Sequence, residues 1–205
     1  MAWAPDYIEP ATLATYAGGA ADSTDPMLAV AISAASRAVD KHCRRQFGNL
    51  DAAEARYYRA HWSIHRRTWV VAVDDLMDAT DLAVDVDDDT GTYPGAITSY
   101  RLLPSNAAAD GEPWTHIAVP DDGTYVPDDT PDAVRVTALW GWTDIPQQVV
   151  QATLIQAHRF YSRRESPYGV TGSPDAGGEL RLLSRLDPDV AVSLTGVRRS
   201  KAAVG

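Results

Sequence analysis

The residues best suited to chemistry form an acidic run, Asp85-Val86-Asp87-Asp88-Asp89-Thr90-Gly91. Carboxylates at alternate positions are typical of calcium-binding loops. The run departs from the EF-hand pattern, because its glycine comes one residue late and Ala96 stands at the twelfth position, where that loop needs a bidentate Glu. We therefore expect a solvated hairpin turn at residues 85–89, and the sequence leaves open whether it binds a cation.

Two short motifs contain potential metal ligands. His61 and His65 are spaced like the histidines of a helical zinc site, but strand-forming residues surround them and the Glu of a metalloprotease helix is absent. His42 adjoins Cys43 at the end of a predicted helix, and no second Cys/His cluster with ligand spacing accompanies them. We expect neither motif to bind a metal.

Catalytic motifs are missing from the sequence. It contains no nucleophile elbow, no phosphate-binding glycine loop and no dinucleotide fingerprint. The single cysteine, Cys43, excludes an intramolecular disulfide and is more typical of a small buried side chain than of a nucleophile. We therefore expect no enzymatic activity, no catalytic residue and no cofactor.

Two groups of side chains are candidates for contacts with another protein. Trp140 and Trp142 lie between a predicted strand and a predicted helix, where aromatic side chains pack in a core or at a subunit interface. Arg159, Arg163 and Arg164 lie near the end of the long predicted helix. These arginines either face solvent and interact with the helix dipole or bind an acidic partner surface.

Charge is divided unevenly along the chain. Between Asp74 and Asp132, 15 acidic residues stand against one basic residue, Arg101, whereas the remainder carries 17 basic and 13 acidic residues. An acidic surface repels phosphate, so we expect no sequence-independent binding of nucleic acid by the whole protein. Such repulsion would suit a surface past which DNA must move without sticking.

Helical patterns occupy both ends of the chain. A short helix is predicted at residues 10–16, and a longer one begins at Asp25-Pro26 and ends before Gly48. A third begins at Pro146 and ends near Ser166. The second helix places Leu28, Ile32, Ala35, Val39 and Cys43 on one apolar face, beside the small residues Ala31, Ala34 and Ala38.

The middle of the chain has the two-residue period of strands. Six candidate strands, at 57–60, 68–73, 82–86, 97–102, 115–119 and 133–140, are separated by turn-forming clusters. The sequence thus predicts an α+β fold, with a small helical bundle core from residues 1–55 and 143–205 and an inserted antiparallel β domain at 56–142. Within the core, we expect a short helical turn at 179–186 and a flexible C-terminal tail at 187–205.

Segments for export or membrane insertion are not evident. No basic segment followed by an apolar run stands near Met1, and no apolar stretch approaches the roughly 20 residues that a membrane span needs. We expect a protein that is neither secreted by that route nor embedded in a membrane.

Several of these strings resemble a known family. An alanine-rich helix of the form Ile32-Ser33-Ala34-Ala35-Ser36-Arg37-Ala38-Val39-Asp40-Lys41-His42-Cys43 is followed, after the β region, by Trp140-Gly141-Trp142 and Ile145-Pro146. The chain continues through Tyr161-Ser162-Arg163-Arg164-Glu165-Ser166-Pro167 to Leu186-Asp187-Pro188-Asp189-Val190. This layout resembles the head-to-tail connector, or adaptor, proteins of long-tailed bacteriophages. The large β insertion departs from the smallest, mostly helical members.

The resemblance implies a structural protein of the virion. It implies a homo-oligomeric ring, commonly twelve-fold, that docks beneath the portal of the capsid and presents a surface to a tail-side connector or stopper protein. Double-stranded DNA would pass through its channel without specific binding. Assembly would take place in the host cytoplasm. The candidate subunit or portal contacts are Trp140, Trp142, Arg159, Arg163, Arg164, Leu194, Val197, Arg198 and Arg199.

Two other functions stay open at this point. The β region could be a binding module that recognises a carbohydrate or a peptide through its aromatic side chains. A metal-dependent enzyme using His61, His65 and the aspartates is the weaker alternative.

Overall fold

The computed structural model describes residues 3–19, 22–88, 90–163, 170–171, 180–181 and 187–199. It contains helices and antiparallel sheets, so the predicted α+β class is confirmed. In chain order the elements are α1 (Pro10–Tyr16), α2 (Pro26–Cys43), β1 (Glu54–Tyr58), β2 (Ala60–Ser63), β3 (Thr68–Leu76), β4 (Ala83–Val86), β5 (Gly95–Ala96), β6 (Arg101–Leu103), α3 (Ala107–Asp110), β7 (Trp114–Val119), β8 (Val134–Ala138), α4 (Gln147–Ser162), β9 (Val170–Thr171), β10 (Leu180–Arg181), α5 (Pro188–Ser193) and a 3₁₀ turn at Thr195–Val197.

The chain divides into two compact units. One comprises Met1–Phe47 together with Ile145–Gly205, and the other is Gly48–Asp144. We call the first the helical unit and the second the β unit. Residues 48–55, which the sequence assigned to the helical part, belong to the β unit because Leu50 N donates to the Trp140 carbonyl at 3.0 Å and β1 begins at Glu54.

Helix α2 begins as the sequence predicts. Asp25 Oδ1 accepts a hydrogen bond from Met27 N at 2.9 Å, and Pro26 occupies the first turn, where its missing N–H costs nothing. The predicted apolar face is buried, and it packs with α1 and α4 in the core of the helical unit. The helix ends at Cys43 and not just before Gly48, because Arg44 adopts a left-handed conformation with φ 58°.

Helix α4 begins one residue later than predicted. Pro146 has ψ 139°, so it is the N-cap and not the first helical residue, and its carbonyl accepts from Val149 N at 2.8 Å. The helix ends at Ser162, and the predicted end near Ser166 lies outside the described residues. The helical turn expected at 179–186 is wrong at Leu180 and Arg181, which form strand β10 and pair with β9.

The extended N-terminal segment is fastened to α2 by a polar cluster. The Tyr7 hydroxyl donates to Asp40 Oδ1 and accepts from Phe47 N, the latter at 3.0 Å. Arg37 Nε pairs with Asp40 Oδ2 at 2.9 Å, and Arg37 Nη2 donates to the Pro5 carbonyl at 2.5 Å. This cluster closes one end of the helical unit.

The β unit contains two four-stranded antiparallel sheets. Their strand orders are β1-β8-β4-β5 and β2-β3-β7-β6. Both sheets contribute alternate residues to one hydrophobic core, Val84, Val134 and Val136 from the first and Val71 and Ile117 from the second. The two sheets therefore share one core, and their opposite faces point away from it.

The strand predictions were accurate in the long apolar runs and failed in the short ones. Strands β3, β4, β7 and β8 lie where the alternating pattern places them, within a few residues. The strand expected at 57–60 overlaps the end of β1 and the start of β2, and the two-residue strands β5, β9 and β10 were not predicted. The strand expected at 97–102 is shorter and begins at Arg101.

Candidate functional site

Trp140 and Trp142 are part of the β-unit core. Their exposed fractions are 1% and 3%. Trp140 Nε1 donates to the Glu54 carbonyl at 2.8 Å, and Trp142 Nε1 donates to Asp75 Oδ2 at 3.0 Å. Because both rings are buried with their N–H groups bonded inside the unit, neither is available to a partner. The structure therefore places both side chains in a core, one of the two environments that the sequence allowed.

Gly141 lets three segments of the β unit meet. Its φ is +116°, and a Cβ at this position would lie 2.0 Å from the Gly48 carbonyl oxygen. Gly141 N donates to the Asp75 carbonyl at 2.7 Å, and Trp142 N donates to the Gly48 carbonyl at 2.8 Å. Gly48, the first residue of the β unit, is thus hydrogen-bonded to Trp142, two residues before the end of the unit.

Arg159 and Arg163, at the end of α4, contact other residues of the helical unit. Arg159 Nη1 pairs with Asp187 Oδ2 at 3.1 Å, and Asp187 is the N-cap of α5. The Arg163 guanidinium lies 5.9 Å from the centre of the Phe160 ring. Arg164 lies outside the described residues. The ion pair joins α4 to α5, and the assignment of Arg159 as a partner contact stays a prediction.

The C-terminal segment is folded as far as Arg199. Asp187 Oδ1 accepts from Asp189 N at 3.0 Å and caps α5. Val190, Leu194 and Val197 are buried, and Leu194 has an exposed fraction of 0%. The flexible tail predicted from residue 187 is therefore wrong over 187–199, because its apolar side chains complete the packing of the helical unit.

Four candidate interface residues, Leu194, Val197, Arg198 and Arg199, lie in this folded segment. Leu194 and Val197 are buried within the helical unit, so the structure gives them a packing role there. Arg199 N donates to the Cys43 carbonyl at 2.9 Å, which satisfies an acceptor at the end of α2. The Arg198 side chain is exposed and remains a candidate. Residues 200–205 lie outside the described part.

The acidic run forms the hairpin turn that the sequence predicts. Strand β4 pairs with β5 in antiparallel register, and the turn between them is exposed. Asp88 accepts from Thr90 N at 3.1 Å and from Thr92 Oγ1 at 2.8 Å, while Asp87 accepts from Gly91 N at 2.9 Å. The hydrogen bonds from Thr90 and Thr92 lower the pKa of Asp88, so this carboxyl stays ionised.

The potential metal ligands are not brought together. Among the described residues, which leave out Asp89, no group of three or more His, Cys, Asp or Glu side chains is arranged to hold a metal ion. His61 lies in strand β2, so its spacing from His65 does not place the two on one helical face. Burial raises the pKa of the Cys43 thiol to about 11, which opposes formation of the nucleophilic thiolate.

Helix α2 has a second apolar stripe, which is exposed and lies beside the buried one. Met27 and Val30 have exposed fractions of 47% and 59%, and Ala34, one turn further, is also exposed. These positions recur at steps of three and four, outside the buried face. The signal was present in the sequence, but a helix with two apolar stripes does not reveal which one is buried.

An arginine-lined groove on the β unit was also missed. The groove has a volume of about 430 Å³, and we name it the arginine groove. It lies on the face of the β2-β3-β7-β6 sheet that points away from the core, because Arg101 is in register with Ala118 and Ala118 with Val70, and none of these residues belongs to the core cluster. It is lined by Arg66, Arg67, Thr68, Arg101, Leu103, Ser105, Ala118 and Pro120.

The sequence offered only a partial signal for this groove. Arg66 and Arg67 lie in the turn that joins β2 to β3, where Arg67 N donates to the Ser63 carbonyl at 2.7 Å. Arg101 lies in β6, more than 30 residues later in the sequence, and β7 separates β6 from β3 in the sheet. A basic residue isolated in an acidic region was visible in the sequence, but the strand order that brings it to the pair was not.

No protein-family model matches the chain, and no curated protein matches it. In the part of the chain that the structure describes, no helix is long and apolar enough to cross a membrane.

Proposed function

We propose that the protein is a head-to-tail connector of a long-tailed bacteriophage. It forms a homo-oligomeric ring, docks on the portal protein and presents its other side to a tail-side stopper protein, with a channel left open for DNA. The proposal rests on the sequence strings of α2, α4 and α5, which resemble those of connector proteins.

The observation that carries the proposal is the division of charge between the two units. The β unit has 18 acidic and 6 basic residues, whereas the helical unit has 10 acidic and 12 basic residues. Each subunit therefore offers two chemically different surfaces. A ring inserted between two different neighbouring proteins requires such a difference, since one side must bind the portal and the other must bind the tail.

The acidic β unit also suits a protein that lets DNA pass. Phosphate groups are repelled by a surface with a large excess of carboxylates, so DNA gains little by condensing on it. Several carboxylates of the unit are exposed and held in place by local hydrogen bonds, as Asp88 is by Thr90. Their negative charge is therefore a fixed property of the surface.

The proposal is tested by mixing the purified chain with its cognate portal oligomer and imaging the mixture by negative-stain electron microscopy. The expected result is an added ring of density on one face of the portal, with the rotational symmetry of the portal. Native mass spectrometry of the same mixture gives the number of subunits bound. A chain that neither binds the portal nor forms rings on it is not a connector.

A further inference from the structure

We propose that the arginine groove binds the acidic turn of a second copy of this chain, the turn formed by Asp87 and Asp88. The contact would join the β units of neighbouring subunits. The inference deepens the proposed function and rests on it for the ring, but the contact itself can be tested on the chain alone.

The arginines of the groove form no ion pair with a carboxylate among the described residues, so they can bind one from another molecule. Three of the six arginines of the β unit have acceptors within it: Arg56 pairs with Asp74 at 2.8 Å, Arg135 pairs with Asp85 at 2.9 Å, and Arg59 donates to the Asp129 carbonyl. The other three are those of the groove, and among the described residues no carboxylate forms an ion pair with Arg66, Arg67 or Arg101.

The composition of the groove favours a carboxylate on a peptide over a bare ion. Guanidinium groups bind carboxylates in a planar two-point geometry and stay charged at every physiological pH. Beside the three arginines, an apolar wall is formed by Leu103, Ala118 and Pro120. Such a wall can pack against the backbone and the methylene groups of a peptide turn. The Thr68 hydroxyl, which donates to the Val119 carbonyl at 2.5 Å, is already in use.

The occupant is identified by charge and by position in the fold. The β unit has 18 acidic residues. In the turn, Asp88 is exposed and accepts hydrogen bonds from Thr90 and Thr92, and the neighbouring Asp87 is half-buried and accepts from Gly91 N. The two carboxylates come on a loop only a few residues long, so both can enter one groove. Bracing of this kind lowers the conformational entropy lost on binding.

The two halves of the contact lie on different sheets. The turn follows β4 in the β1-β8-β4-β5 sheet, whereas the groove belongs to the β2-β3-β7-β6 sheet. A contact between two different parts of the unit can repeat around a closed ring as a heterologous interface. A two-fold dimer that makes the contact twice has the same complementarity, and the ring is the arrangement that the proposed function requires.

Net repulsion between acidic copies does not prevent the contact. At physiological ionic strength the screening length is about 8 Å, so distant carboxylates interact weakly while a guanidinium and a carboxylate in contact keep most of their attraction. The association should accordingly be weak for one pair of copies and strong in a ring, where every subunit makes the contact twice.

The test places a photo-crosslinking benzophenone amino acid at Ser105, an exposed, uncharged residue of the groove wall, in the full-length chain. Irradiation of the concentrated protein is expected to give a covalent dimer, and tandem mass spectrometry should locate the attachment at residues 85–92. Adding Arg67→Glu should lower the dimer yield on the order of tenfold, since it replaces attraction by repulsion.

Arg198→Glu is the matched control. Arg198 is an exposed arginine of the helical unit with no ion pair among the described residues, so the same change of charge there should leave the dimer yield unchanged. Attachment at another segment, absence of a dimer, or equal losses in Arg67→Glu and Arg198→Glu would overturn the proposal. A short oligonucleotide that crosslinks to Ser105 in place of a second copy would overturn it too and would assign the groove to phosphate.

The outcome is separable from that of the portal experiment. If the chain binds the portal but gives no dimer through Ser105, the groove contact is wrong and the connector function stands. If the dimer forms through the acidic turn but the chain ignores the portal, the contact stands and the connector function is wrong.

Discussion

At Gly141 one backbone conformation holds together segments that are far apart in sequence. Its amide bonds to the Asp75 carbonyl, and its Cα faces the Gly48 carbonyl so closely that no side chain fits. The neighbouring tryptophans are buried on either side. In this protein the Trp140-Gly141-Trp142 string therefore packs in the core of the β unit and is not exposed to bind a ligand.

Replacing Gly141 by Ala should destabilise the β unit by more than about 3 kcal/mol, because the new Cβ meets the Gly48 oxygen in a left-handed backbone region. Urea denaturation followed by tryptophan fluorescence measures the loss. Gly196→Ala is the control, since nothing lies within 4 Å of its Cβ position. Similar midpoints for the two variants would contradict the role given to Gly141.

Burial and the hydrogen bond to Asp40 raise the pKa of Tyr7 far above its ordinary value of about 10. The hydroxyl therefore stays protonated in the folded chain at a pH where it ionises in the unfolded chain. Its contribution to stability is complete below pH 10 and falls as the pH rises further.

Above about pH 10, the free energy of unfolding should fall by up to about 1.4 kcal/mol per pH unit through Tyr7. Urea denaturation at a series of alkaline pH values measures this slope. Tyr7→Phe should be less stable at neutral pH but should show a shallower alkaline slope, with Tyr58, whose pKa is also raised by burial, still contributing. An unchanged slope in Tyr7→Phe would refute the assignment.

Among the elements, α2 has two apolar stripes with different environments. Ala35 is fully buried against the core of the helical unit, whereas its neighbour Ala34 faces outward. The two alanines are adjacent in sequence and equal in helix propensity. A difference in stability between the same substitution at the two positions therefore reports the difference in packing.

Ala35→Leu should cost about 1–3 kcal/mol of stability, because three extra carbons must enter a filled interior. Ala34→Leu should change stability by less than about 0.5 kcal/mol, since its side chain extends into solvent. Thermal unfolding of both variants measures the difference. Equal losses would mean that the exposed stripe is packed as well.

Helix α5 belongs to the core of the helical unit and is not an optional tail. Leu194→Ala should destabilise that unit by about 2–5 kcal/mol, the usual cost of a cavity left by a buried leucine. Val192→Ala, at a position with an exposed fraction of 74%, should have little effect. Guanidinium denaturation of both variants checks this. A stable chain lacking residues 190–205 would show that α5 is dispensable.

At the scale of the whole molecule, charge follows the division into units. The helical unit carries two more basic than acidic residues, whereas the β unit carries 12 more acidic than basic residues. Local ion pairs such as Arg135 with Asp85 neutralise only a few of its carboxylates. The rest act together as a repulsive field toward other polyanions.

The full-length chain should therefore fail to bind double-stranded DNA, with any dissociation constant weaker than the roughly 10⁻⁴ M at the weak end of non-specific binders at physiological salt. Fluorescence anisotropy of a labelled duplex measures this. Arg198→Glu and wild type should behave alike, because neither binds. Salt-dependent binding at micromolar protein would contradict the prediction and remove one support of the proposed channel.

Features governed by neighbouring residues were predictable from the sequence. The start of α2 at Asp25-Pro26, its buried stripe and the cap of α5 at Asp187 depend on contacts within one turn of helix. The turn at Asp87 and Asp88 likewise depends on threonines two to four residues away. Contacts between residues so close in sequence can be inferred from the local pattern alone. The structure confirms these predictions.

Features that depend on distant residues were not predictable. The sequence marked Trp140 and Leu194 as important but did not distinguish a core from an interface, since both bury apolar area. The Tyr7–Asp40 cluster joins residues 33 positions apart. The arginine groove exists only because β7 lies between β3 and β6. Each of these required the strand and helix order, which no local pattern contains.

The β unit begins and ends at the same place. Asn49 bridges to Gly141, and Trp142 N bonds to the Gly48 carbonyl, so the chain leaves the unit where it entered. The chain therefore enters and leaves the β unit at nearly the same point. A domain whose two ends lie close together can be inserted into a host chain with little change to the host, which is why domain insertion is tolerated at such sites.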